Sequence, residues 1–221
     1  MKKLIAVCAL ALGSIALPSR ASTITFDDIS VAPGFAVSVA SNFYASQGVA
    51  SIQTILDATD ALGVGDTFSA TVHDNAFFVA NITAAVSPPN VVLPARSSGG
   101  FVTFASDELL IQFSTPQRFV SVQTDDAPGE VPDVVRLLAL RHLGGNSFEI
   151  LAVDSGLDNA TSAPDNVLSV TASEAFSFAL IESTTELEAF DNLTFVPEPA
   201  SLALVLVALA GFAFRRRRLA G

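Results

Sequence analysis

Few residues in this chain have the type and spacing to do chemistry. Its two histidines, His73 and His142, each fall on or beside the end of a β-rich run. Neither has a Gly-x-Ser-x-Gly elbow or a second His at ligand spacing, so they read as surface or turn residues and not as a catalytic base. Paired carboxylates could hydrolyse glycosides, but 22 acidic residues make chance pairs abundant and give such pairs no weight. Asp27-Asp28 near the start and Asp191-Asn192 near the end offer oxygen ligands of the kind a hard cation needs. They would lie side by side if the first and last strands pair. The alternative is solvated edge acids or turn formers. No EF-hand loop is present. The acidic, Pro-rich run from Asp125 to Asp133 reads as a solvated connection that could also meet a cation or partner. There is no Trp and one Tyr, Tyr44, so a stacking platform for sugars is poorly provided. Asn81-Ile82-Thr83, Asn159-Ala160-Thr161 and Asn192-Leu193-Thr194 match the glycosylation tripeptide, a pattern that arises often by chance.

The elements that must position these residues are hidden by a conflict in the composition. The 221 residues have a mean hydropathy of +0.52, which points to membrane, and a formal charge of −11, which points to a solvated surface. Net acidity excludes a generic nucleic-acid binder, and the hydropathy excludes a disordered chain. The conflict resolves when the ends are separated from the body. Met1-Lys2-Lys3, an apolar run from Leu4 to Leu17, then Pro18 and Ser19-Arg20-Ala21, form a charged n-region, a short h-region and a small-residue cleavage site after Ala21. Residues 1–21 are therefore expected to be an export signal removed by signal peptidase. Cys8, the only cysteine, leaves with it, so the mature body has no disulfide, Cys-based metal site or Cys nucleophile.

At the other end Pro197-Glu198-Pro199 leads into an apolar stretch from Leu202 to Phe214, followed by Arg215, Arg216, Arg217 and Arg218. As a helix the stretch is about 20 Å long, a marginal span, and the arginines would stay cytoplasmic with the body outside. Residues 196–221 resemble the PEP-CTERM sorting signal of exosortase substrates in Gram-negative bacteria. The resemblance implies transient anchoring in the inner membrane through the hydrophobic helix, recognition by a membrane-embedded exosortase and removal of the helix. The body would then go to the cell surface or the extracellular matrix.

Residues 22–195 are expected to form the domain. The stretch from 22 to 199 holds four Arg, no Lys and all 22 acids, a formal charge of −18. Its apolar residues fall into short β-rich runs: Thr23 to Ile29, Phe68 to Val72, Phe77 to Ile82, Phe101 to Phe104, Leu109 to Phe113, Phe119 to Val122, Val134 to Leu140, Phe148 to Val153, Phe176 to Ile181 and Leu187 to Phe195. Ser114-Thr115-Pro116-Gln117 and His142-Leu143-Gly144-Gly145-Asn146 read as hairpin loops. Ile52 to Leu62 is the one candidate helix. Many short strands without βαβ alternation predict an all-β, antiparallel β-sandwich, with a jelly-roll arrangement favoured by core-like first and last strands. Ile24-Thr25-Phe26-Asp27-Asp28 and Phe190-Asp191-Asn192-Leu193-Thr194-Phe195 look like the jelly-roll, lectin-like bodies of many PEP-CTERM proteins. That resemblance implies a structural Ca²⁺ near Asp27, Asp28, Asp191 and Asn192. The expected function is an exported, non-catalytic structural or adhesive β-sandwich, with extracellular polysaccharide as a partner reached through divalent cations and no nucleic-acid partner. A carbohydrate-binding lectin-like module and a secreted hydrolase are the alternatives.

Overall fold

The computed structural model describes residues 20–56, 62–74, 76–81, 90–93, 95–98, 101–104, 107–125, 133–158, 166–183 and 189–198. Fourteen strands are described. They are β1 (Ser22–Ile24), β2 (Ala36–Ala40), β3 (Val49–Leu56), β4 (Thr67–Ser69), β5 (Val72–Asp74), β6 (Ala76–Asn81) and β7 (Asn90–Leu93), then β8 (Ala95–Ser98), β9 (Phe101–Phe104), β10 (Asp107–Asp125), β11 (Asp133–Gly144), β12 (Ser147–Asp158), β13 (Asn166–Ser183) and β14 (Ala189–Pro197). One 3₁₀ turn covers Ala45–Gln47. The pairings are antiparallel. One sheet has the order β2-β6-β7-β14-β10-β13-β11-β12-β4, with β1 on β14 and with β3 joining β10 and β5; β8 and β9 form a separate pair.

The fold is the expected all-β, sandwich-like one, and β10 and β13 make it so. They pair over both their halves, from Leu109↔Ile181 to Thr124↔Asn166, with register shifts between Gln112, Gln117 and Phe119. Before the shift the inward residues of β10 are odd-numbered (Leu109, Ile111, Phe113); after it they are even-numbered (Val120, Val122). A strand alternates faces strictly, so this change of parity requires extra residues and a local bend. The two halves of the ribbon then face each other across one core, which gathers Leu109 and Ile181 from one half with Val122 and Leu168 from the other. Ser114-Thr115-Pro116-Gln117 is therefore not a hairpin loop but the bend inside β10. Pro116 brings no N–H to a ladder. Gln117 is buried and turns its amide onto the Thr115 carbonyl, 2.5 Å away.

β11 is buried on both faces. Val135, Leu137 and Ala139 enter the main core, while Leu138 and Leu140 join a second cluster with Ile55, Phe68, Leu110, Phe148, Ile150 and Leu180. This is why Leu137 to Leu140 reads as an unbroken apolar run with no alternation. The β11–β12 hairpin is as expected: Gly144 pairs with Ser147 across Gly145 and Asn146. Gly145 has φ +60, the positive value that a type II′ turn demands at its first central residue.

Two other expectations change. The first strand stops at Ile24, short of Ile29, because the backbone turns at Phe26, where φ is +61. The run from Ile52 begins as strand, not helix: β3 continues to Leu56, its Ile52 and Ile55 buried and its backbone paired to β10, while 57–61 lie outside the described residues. Pairing with a neighbour on the sheet outweighs the weak local helix preference of this segment. β1 does pair with β14, through Ser22↔Phe195, Thr23↔Thr194 and Ile24↔Leu193, so the first and last strands of the body meet as expected.

Candidate functional site

The pairing of β1 with β14 brings the four candidate cation ligands to one end of these strands, but it gives each a different surrounding. Just after β1 the chain turns sharply at Phe26, an uncommon conformation for a bulky residue. The Phe26 ring offsets that strain by burial, edge-on to Tyr44 at 5.3 Å and to Phe77 at 6.4 Å between ring centroids. The turn is clamped from β7. Asn90, fully buried, donates its side-chain amide to the carbonyls of Phe26 (3.1 Å) and Ile29 (2.6 Å), and its backbone N–H to Asp27 Oδ1 (3.2 Å).

Asp27 and Asp28 are exposed on this turn. Asp28 accepts a hydrogen bond from the Tyr44 hydroxyl at 2.6 Å. Burial pushes the Tyr44 phenol up, and the Asp28 hydrogen bond together with the charges of Asp28, Asp27 and Asp191 pushes it further, so the hydroxyl remains a donor at any physiological pH. On β14, Asp191 is buried and accepts the Asn192 N–H at 2.6 Å. Asn192 has φ +50, and its side-chain amide donates to Gln123 of β10. Among the described residues, no three His, Cys, Asp or Glu side chains are grouped as a metal site. One feature does suit a cation: the side-chain oxygen of Asn90, buried beside the Asp27 turn, has no hydrogen-bond partner. A buried acceptor left open is costly unless water or an ion meets it. Nothing in the sequence around Asn90 signalled this role.

The structure also buries a charged row that sequence reasoning missed. Arg136 of β11 pairs with Glu182 of β13 both in register and by a salt bridge, and its second guanidinium nitrogen donates to the Leu62 carbonyl. Glu108 of β10 sits beside them in the same sheet, one residue before the Leu109↔Ile181 pair, and is 2% exposed. The three residues cap the end of the second apolar cluster.

The remaining candidates are placed as follows. His73 lies in β5. His142 shares a hydrogen bond with Gly145 O at 2.8 Å, within its own hairpin, and its ring packs beside Phe148 and Phe178. Tyr44 is 1% exposed, so it offers no face for stacking a sugar. The amides of Asn81 and Asn192 are engaged with Val31 O and Gln123. Pro197 ends β14, and Glu198 is the last residue described. Pro199, Arg215, Arg216, Arg217 and Arg218 lie outside the described residues, as do 1–19, Asn159 and most of the Asp125–Asp133 run. Among the described residues no helix is long and apolar enough to cross a membrane.

Taken as a class, this is an acidic antiparallel β-sandwich whose last strand runs into a terminal signal. That signal matches the PEP-CTERM protein-sorting motif over residues 195–218. The motif is that of exported proteins that pass the membrane, are anchored there before processing and are sorted through exosortase. No curated protein sequence matches the chain. A solved structure similar to it is the K2 cleaved adhesin domain of Lys-gingipain, at 12% identity, covering 80% of this chain and 99% of that one with a TM-score of 0.35.

Proposed function

We propose that this chain is a non-catalytic structural or adhesive component of the cell surface or extracellular matrix, delivered there by exosortase processing. The observation that carries the proposal is the sorting motif at 195–218, which begins on the buried Phe195 and so directly abuts a folded acidic body. A body of formal charge −18 stays soluble outside the cell and attracts divalent cations, which could bridge it to anionic polysaccharide. The engagement of His142 with its own turn supports a non-catalytic body, and the burial of Tyr44 speaks against a lectin-like one.

Replacing Pro197 and Glu198 together by Ala is expected to move the protein from the surface or extracellular fraction to the inner membrane. Equal extracellular amounts of variant and wild type would defeat the reading.

Calcium enters this proposal through Asp27, with the open Asn90 oxygen beside it and Asp191 in the neighbouring strand. All four expected ligands also hold protein partners: Asp27 the Asn90 N–H, Asp28 the Tyr44 hydroxyl, Asp191 the Asn192 N–H and Asn192 the Gln123 side chain. Binding to the folded state alone at about 100 times Kd adds about 2.7 kcal/mol. The melting temperature should accordingly rise by several degrees between EDTA and millimolar calcium. Identical melting curves would remove calcium from the account.

A further inference from the structure

We propose that the edge strand β2 (Ala36–Ala40) is the surface through which two copies of this chain pair, antiparallel and edge to edge. The inference concerns a different part of the sheet from the sorting motif and stands apart from the proposal above. β2 ends the strand path, and among the described residues no strand pairs with its outer side. Such an edge presents unpaired N–H and C=O groups, which proteins usually shield with charge, Pro, a bulge or a covering element. β2 has none of the first three. Its residues, Ala36-Val37-Ser38-Val39-Ala40, are small or apolar, and they pair with β6 in continuous register from Ala36↔Ala80 to Ala40↔Ala76.

The absence of charge extends well beyond this strand. Residues 29–56 and 75–95 contain no Asp, Glu, Lys, Arg or His. β2, β6 and β7 therefore make a neutral three-stranded wing on a body that is strongly acidic elsewhere. At the opposite end of the path β4 is three residues long and follows directly on Asp66, and β5, which ends the side branch through β3, contains His73 and Asp74. Phe35 and Phe43 flank β2 and are 67% and 49% exposed.

The charge distribution selects the occupant. Two acidic bodies repel across every charged face, so a second copy approaches with least opposition wing to wing. A basic partner would instead be drawn to the carboxylates, which the wing lacks. The strand's own symmetry suits self-pairing. Its five residues centre on Ser38, so a twofold pairing sets Ser38 against Ser38 of the copy and Val37 against Val39. Val39 is buried in the main core and Val37 packs against it, so this register continues one apolar face across the twofold axis. A single neutral edge used isologously closes at two copies and does not propagate as a fibre.

Sedimentation equilibrium on the processed protein recovered from cells tests this. The weight-average mass should climb from monomer towards dimer between about 1 and 100 µM, since a five-residue edge buries too little surface for tighter binding. Raising NaCl from about 0.05 to 0.5 M should strengthen the association, because screening weakens repulsion between the bodies. Ser38→Lys and, separately, Ser38→Asp should each weaken it at least about tenfold by placing like charges together on the twofold axis. Far-UV circular dichroism and melting temperature should stay unchanged in both, which separates a lost interface from a lost fold. A monomer at every concentration and salt overturns the proposal, and so does a dimer that salt weakens or that both variants leave intact.

Discussion

Arg136→Ala is expected to lower folding stability by about 3–5 kcal/mol, the loss associated with stripping the partner from a buried ion. In the native protein the guanidinium spans Glu182 and the Leu62 carbonyl, with Glu108 next in the row. Removing it leaves two carboxylates at the end of an apolar cluster with no cation between the strands. Arg136→Lys keeps the charge but cannot reach both partners as a planar fork, so it should recover only part of the loss. Urea titration of the two variants measures this directly. A loss below about 1 kcal/mol for Arg136→Ala would mean that the row is solvated after all.

Phe195→Ala should be comparably damaging, at about 3–5 kcal/mol. Phe195 is the first residue of the sorting motif and also a core residue of the body, 1% exposed and 5.2 Å from Phe113 between ring centroids. Its ring lies so close to the Gly48 backbone that a Cβ there would come within 3.1 Å of it. Gly48 also has φ +102, so two independent constraints favour glycine at the position that receives the ring. Signal and fold thus overlap at this residue. Phe195→Leu should lose less, because it refills most of the volume. If Phe195→Ala unfolds at the wild-type urea concentration, the motif does not begin inside the domain core.

The alternating and β-branched runs located most of the strands, and the Gly144-Gly145-Asn146 signal located a hairpin, because both are dictated by neighbours in sequence. The errors fall where distant partners decide. Ser114-Thr115-Pro116-Gln117 has the composition of a turn, yet β10 continues through it because β13 accompanies it on both sides of the bend. Ile52 to Leu56 became strand because β10 offered a ladder to join.

The candidate cation residues were found because Asp27-Asp28 and Asp191-Asn192 are conspicuous near the two ends of the body. What could not be read from sequence was the division of labour among them. That depends on Asn90, Tyr44 and Gln123, which come from three other segments of the fold. The buried row of Glu108, Glu182 and Arg136 was hidden for the same reason: three charged residues in three separate strands look like surface until their register places them side by side. The neutral wing is different. Its lack of charge is plain in residues 29–56 and 75–95, but only the strand order shows that it terminates in an open edge.

Mass spectrometry of the intact protein, recovered from cells with and without exosortase, tests the central claim most directly. The wild-type sample should begin at Ser22 and end near Pro197-Glu198-Pro199, without the hydrophobic stretch and the four arginines. The sample lacking exosortase should extend to Gly221 and remain with the inner membrane. A chain ending at Gly221 in both samples would contradict the account.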